Sequence, residues 1–256
     1  MSSLLDSLKI HVDPSWGADL WAVVGMRGCG KSTLINWQAA NFYEDYIAPG
    51  AAIGKQSGRM VIGDTKPRFQ AEYFADGTRI RDHYKNWGYG EKVPHSRLVR
   101  NYREWTLAWQ TGANVVILQN ERLDQGPLVK WQVTMIEEFW RSQRARIPSL
   151  LVLDEGMDFF GVTGNGLHGN TIQRICRAGR EKSMATVIGS QRPKSINIQV
   201  LSEANCLALF AVKYREDVKR LYEMGLPKWA APPAEKRQFL LMRDDEVLSE
   251  RAMLAL

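Results

Sequence analysis

The chain has 256 residues, of which 45% are hydrophobic and 24% charged, a composition with enough apolar content for a sizeable core and unlike that of a disordered or fibrous protein. Lysine and arginine number 34 against 28 acidic residues, a net charge of +6, which permits a polyanionic partner without requiring one. Cys29, Cys176 and Cys206 are too widely spaced for a disulfide framework or a zinc knuckle, and neither a signal peptide nor an apolar run long enough to cross a bilayer is present, so a soluble, cytoplasmic protein is expected.

In chain order, Leu20–Val24 (LWAVV) is the first of several short runs rich in Val, Ile and Leu. A helix is expected over Ser32–Phe42 and a strand over Arg59–Ile62, followed by an irregular, aromatic-rich stretch over Asp64–Pro94. Then come a helix at about Arg97–Gln110, a strand at Asn114–Leu118, a helix at Val129–Arg144 and a strand at Leu150–Leu153. A glycine-rich loop, Gly161–Asn170, precedes a helix at Thr171–Lys182, and strands follow at Ala185–Gly189 and Cys206–Val212. A helix at Glu216–Glu223 and the Pro232-Pro233 loop lead to a last strand, Arg237–Met242, expected to be antiparallel at an edge. Uninterrupted apolar runs alternating with helices describe an α/β protein whose mainly parallel sheet is covered on both faces. No internal boundary stands out, so one domain over residues 1–256 is expected, with an insertion at about 64–110.

Gly25-Met26-Arg27-Gly28-Cys29-Gly30-Lys31-Ser32-Thr33 follows the first strand and opens the first long helix. It fits the phosphate-loop pattern G-x-x-x-x-G-K-[ST] in the required context. The glycines let backbone N–H groups curl around an anion, and the helix N-terminus faces the same charge. Lys31 is placed to reach the β- and γ-phosphates of ATP, and the Ser32 hydroxyl to ligate Mg²⁺.

Leu150–Leu153 ends in Asp154-Glu155. At the carboxyl end of a buried strand, Asp154 is the Mg²⁺-associated carboxylate and Glu155 the group that polarises an attacking water. The strand Ala185–Gly189 delivers Ser190 and Gln191 to the same edge, where Gln191 would orient the water or report the nucleotide state.

Together, GMRGCGKST, LLVLDE and an arginine eleven residues before the glutamine of SQRP resemble the FtsK–HerA superfamily of P-loop motor ATPases. RMVIGDTKP (Arg59–Pro67) and Cys206–Gly225 look like that family's second strand and its late strand and helix. The resemblance implies a RecA-like fold of the ASCE type. It is greatest to the genome-packaging ATPases of tailless, membrane-containing viruses, and so implies ATP hydrolysis, translocation of DNA (double-stranded and without sequence preference), and a homo-oligomeric ring, a hexamer by preference. A viral capsid or membrane-vertex protein is a further implied partner, and host cytoplasm or virion the implied location. The family pattern selects Arg180 as the arginine that completes a neighbour's site, with Arg177 one turn earlier as the alternative. A solvated helix face is the plainer account of both.

Basic clusters at Arg97, Arg100 and Arg103, at Arg141, Arg144 and Arg146, and at Arg192 and Lys194 are candidate phosphate contacts; the first set would form a helical stripe. The loop with Asn165, His168 and Asn170 is a candidate channel loop. A P-loop phosphotransferase acting on a small molecule and a non-motor ATPase switch remain as other readings of the same motifs.

Overall fold

Apolar runs without alternation become strands covered on both faces. Leu20–Val24, Val115–Gln119, Ser149–Leu153 and Met184–Ser190 are buried at every position. The computed structural model describes residues 2–13, 17–53, 58–65, 68–81, 92–119, 129–143, 147–159, 169–196, 198–223, 225–228 and 230–253.

Helix α1 (Ser2–Leu8) leads into a two-stranded ribbon, β1 (Val12–Asp13) and β2 (Gly17–Ala18). Then come β3 (Leu20–Val24), α2 (Lys31–Phe42), a π-helical turn at Tyr43–Ile47 and α3 (Ala48–Ala51). The next stretch holds β4 (Arg59–Asp64), β5 (Tyr73–Phe74), β6 (Ser96–Val99), α4 (Tyr102–Gln110), β7 (Val115–Gln119) and α5 (Val129–Ser142). β8 (Ser149–Leu153) is followed by α6 (Gly156–Phe159), α7 (Gly169–Ala178) and a 3₁₀ turn at Arg180–Lys182. The chain continues with β9 (Met184–Ser190), α8 (Ile198–Ser202), β10 (Cys206–Phe210), α9 (Arg215–Glu223), β11 (Gln238–Arg243) and β12 (Glu246–Met253).

The main sheet runs β12-β11-β10-β3-β9-β8-β4-β7-β6-β5. From β10 to β5 every pair is parallel, and β11 and β12 are antiparallel. Chain order reverses at β3: the helix after it leads to β4 on one side, while β10 flanks it on the other. That is the switch point where an open parallel sheet leaves a crevice at the carboxyl ends of its strands. One face packs on α2 through Leu34, Ile35, Ala39 and Phe42, together with Trp21, Met60, Leu150 and Val187. The other packs on Trp105 and Ala108 of α4, Ile136 and Phe139 of α5, and Ile172 and Ile175 of α7.

Two expectations are corrected. The helix expected from Arg97 starts at Tyr102, because the Asn101 side chain caps it by accepting from the Glu104 N–H at 3.0 Å, while Glu104 accepts from the Arg100 N–H at 2.8 Å. Ser96–Val99 is instead strand β6, paired with β5 and β7. Arg97, Arg100 and Arg103 therefore form no helical stripe. Arg97 donates to the carbonyls of Ala75 and Thr111, and Arg100 pairs with Glu104 at 2.7 Å. The last predicted strand is antiparallel as expected but is not the edge, since β12 pairs along its outer side.

β9 lies against the end of β8 at Gly189, where a Cβ would stand 2.3 Å from the Asp154 carbonyl oxygen and 2.9 Å from Ile35 Cδ1. Backbone on one side and α2 on the other leave no room for a methyl group. Gly189→Ala is expected to destabilise the fold by about 2–3 kcal/mol, as overpacking of a rigid core does, read as a lowered urea midpoint.

Candidate functional site

The turn between β3 and α2 is held by backbone hydrogen bonds from three directions. The Gly25 N–H donates to Ser190 at the end of β9 (3.0 Å), the Met26 N–H to Ala211 just past β10 (2.8 Å), and the Arg237 N–H to Cys29 (3.1 Å). Gly30 is the residue before α2 and has φ of 111°, a left-handed conformation that glycine adopts without strain. The turn thereby leads into the start of α2, whose first N–H groups lack intrahelical acceptors, an arrangement that suits an anion.

Lys31 is the first residue of α2 and is buried; its Nζ donates to the Gly25 carbonyl at 2.7 Å and the Met26 carbonyl at 3.1 Å. Burial pushes its pKa down, while Cys29, Glu155 and Asp154 hold it up. The Ser32 hydroxyl donates to Asp154 Oδ1 at 3.2 Å. Asp154 and Glu155 follow β8 directly and are both buried. Burial, then the Glu155 charge, raises the Asp154 carboxyl to about 6. The Gln191 amide, one residue past β9, donates to Glu155 Oε1. Ser32, Asp154, Glu155, Gln191 and Lys31 thus line one pocket of ≈ 310 Å³. A serine hydroxyl against a carboxylate is a hard-oxygen donor set that fits Mg²⁺, and the turn and Lys31 fit its phosphate partner.

Arg27, Arg68 and Arg237 also line this pocket, and sequence reasoning gave no role to the last two. Arg68 is brought in by Asp64, the last residue of β4. The buried Asp64 carboxylate accepts from the N–H groups of Arg68 (2.9 Å) and Phe69 (3.1 Å) and from Gln119 Nε2 at the end of β7 (2.9 Å). Burial raises its pKa to about 7 against the pull of these bonds. The guanidinium of Arg68 is half-buried with no ion-pair partner among the described residues, and its charge acts on both Lys31 and Asp154. An aspartate at the end of a strand was the one available signal, since such a carboxylate caps the N–H groups after it. Arg237 gives no local signal: it precedes β11, and only the strand order brings it to the turn.

Other predicted residues lie elsewhere. Arg177 and Arg180 precede β9, at the opposite edge of the sheet from Gln191. Arg177 pairs with Glu203 at 3.5 Å; Arg180 is exposed and has no ion-pair partner among the described residues. Arg192 pairs with Asp217 at 3.2 Å and stacks over Tyr214, and Arg141 pairs with Glu137 at 2.6 Å. Arg144, Arg146, Asn165 and His168 lie outside the described residues, and Asn170 falls in the first turn of α7.

A mostly parallel sheet with its crevice at β3, a phosphate-loop turn opening α2, and paired carboxylates at the end of β8 define a RecA-like P-loop NTPase fold. No protein-family model and no curated protein matches the sequence. Among solved structures, the chain is similar to the genome-packaging NTPase B204 from Sulfolobus turreted icosahedral virus 2 in complex with ATP-γS. The TM-score is 0.56 at 13% identity, over 88% of this chain and 91% of that one. VirB4 of Thermoanaerobacter pseudethanolicus gives 0.55 at 11% identity over 88% and 86%. EssC (ATPases 2 and 3) of Geobacillus thermodenitrificans gives 0.52 at 11% over 94% of this chain and 40% of that one. All three are P-loop ATPases of the FtsK–HerA superfamily, the one the motifs resemble, and at these identities the likeness is one of fold.

Asp64→Ala leaves the Arg68 and Phe69 N–H groups and the Gln119 amide without their shared acceptor. Stranding buried donors costs about 1–3 kcal/mol each at most, so urea denaturation is expected to show a loss of about 3 kcal/mol.

Proposed function

We propose that the chain is an ATP-hydrolysing motor that moves double-stranded DNA, working as a ring with ATP between subunits. The observation that carries hydrolysis is the placement of Glu155, buried beside the Ser32–Asp154 pair and tethered by Gln191 at the mouth of the phosphate turn. A carboxylate so held accepts a proton from an attacking water, and the Gln191 amide fixes how it is turned toward that water. Lys31 exchanges its two carbonyl partners for phosphate oxygens, and the N-terminus of α2 holds the same charge. Mg²⁺, held by Ser32 and Asp154, supplies charge neutralisation on the phosphates when bound.

The DNA part of the reading is supported by the likeness to a viral packaging NTPase and by the net charge of +6. Ring assembly is supported by Arg180: exposed at the far edge of its own sheet, it has no route to its own pocket and is free to serve a neighbour's. A capsid or vertex protein would be the docking partner of such a ring. Among the described residues, no helix is long and apolar enough to cross a membrane.

Double-stranded DNA should stimulate ATP turnover, and a non-hydrolysable ATP analogue should shift the chain to ring size in light scattering. A monomer whose turnover ignores DNA would overturn the motor. Lys31→Ala should abolish ATP binding, whereas Glu155→Gln should bind ATP and turn over at least about 100-fold more slowly, the scale of a lost general base. Arg180→Ala should bind ATP but hydrolyse poorly, and mixing it with Glu155→Gln should restore part of the activity, because mixed interfaces then contain one intact site. Because Asp154 is raised to about 6, its proton competes with Mg²⁺ below that value. MgATP affinity measured by calorimetry should therefore fall as pH drops through 6, while metal-free ATP binding changes less.

A further inference from the structure

We infer that Arg237 is a nucleotide-binding residue of the chain's own site, holding the α-phosphate and nucleoside end of ATP rather than its γ-phosphate. The inference rests on the nucleotide-site reading above and assigns the end of the ligand that no motif addresses.

Sheet order sets the polarity of the pocket. Glu155 and Gln191 follow β8 and β9, both on one side of β3, and they mark where the terminal phosphate reacts. A nucleotide whose phosphates lie on the α2 N-terminus therefore extends its nucleoside away from them, toward β10 and β11. β11 is antiparallel, so its first residue, and not its last, stands at the carboxyl edge where the crevice lies. That position puts Arg237, the residue just before β11, in the lining of the same pocket.

The backbone there is built for this placement. Arg237 has φ of 68°, in the left-handed region that a long side chain seldom occupies. It is held there by its own N–H, which donates to Cys29 within the phosphate turn at 3.1 Å. That bond ties the arginine's backbone to the turn. The side chain is exposed and has no ion-pair partner among the described residues. The nearest acidic group in sequence, Glu235, is bonded to Gln238 instead, at 2.7 Å. A free, planar guanidinium can fork onto a phosphate and lie against a base, and both are found at the nucleoside end.

The test is calorimetric titration of ATP and of ADP into wild-type chain, Arg237→Asn, Arg237→Lys and Lys31→Ala. Asparagine tolerates the left-handed backbone and keeps the N–H to Cys29, so it removes the charge and leaves the turn. The expected result is a loss of about tenfold for ATP and for ADP alike in Arg237→Asn, the scale of one charge-assisted hydrogen bond, with a smaller loss in Arg237→Lys. A loss confined to ATP would put the arginine at the γ-phosphate and overturn the inference. So would equal losses in the lysine and asparagine variants, or wild-type affinity in Arg237→Asn while Lys31→Ala binds nothing. If wild type binds neither nucleotide, or Lys31→Ala binds as wild type does, the nucleotide-site reading itself fails and the inference with it.

Discussion

The site hangs on a turn that cannot hold its own shape. On the proposed reading, residues 25–30 turn N–H groups toward a ligand, so few are left to bond within the turn. The chain solves this by borrowing acceptors and donors from three neighbouring segments: Ser190 at the end of β9, Ala211 after β10 and Arg237 before β11. Each of those segments also carries chemistry or leads to it. Ser190 precedes Gln191, Ala211 leads to Tyr214, over whose ring Arg192 lies, and Arg237 lines the pocket. The order of strands, with β3 between β9 and β10, is therefore what makes the turn a site.

Electrostatics follow from that closeness. Asp64, Asp154 and Glu155 are all buried near one sheet edge, and burial drives the first two well above the usual carboxylate range. The neighbouring charges are Lys31 and Arg68, the first of which is itself desolvated. Such an edge favours a ligand that brings both phosphate negatives for the lysine and arginines and a cation for the carboxylates. A metal–nucleotide complex meets both needs at once, which a simple anion or a bare cation does not.

Much of this was legible in the sequence, for identifiable reasons. Strands covered on both faces read as unbroken apolar runs, so β3, β4, β7, β8, β9 and β10 were found within a residue or two of their ends. The phosphate turn, Asp154-Glu155 and Gln191 were legible because each follows such a run directly. β6 was missed because Ser96 and Arg97 break its apolar run, and its arginine resembled the start of the helical stripe that continues after Asn101. Arg237 was not legible because nothing local marks it, and the only mark of Arg68 is the aspartate that ends β4. Arg68 is placed by a carboxylate cap four residues earlier, Arg237 by an antiparallel strand whose position depends on the whole sheet.

The contact at Gly189 bears on how the site communicates with its surroundings. With backbone against backbone there and no side chain between, the ends of β8 and β9 have no slack. The end of β8 that leads to Glu155 and the end of β9 that leads to Gln191 are therefore held at a fixed spacing. Beyond that end lies Arg192, gripped by Asp217 and by the ring of Tyr214, and through them α9. A single glycine thus sets the spacing of two strand ends that line the pocket on one side and lead on to α9 on the other.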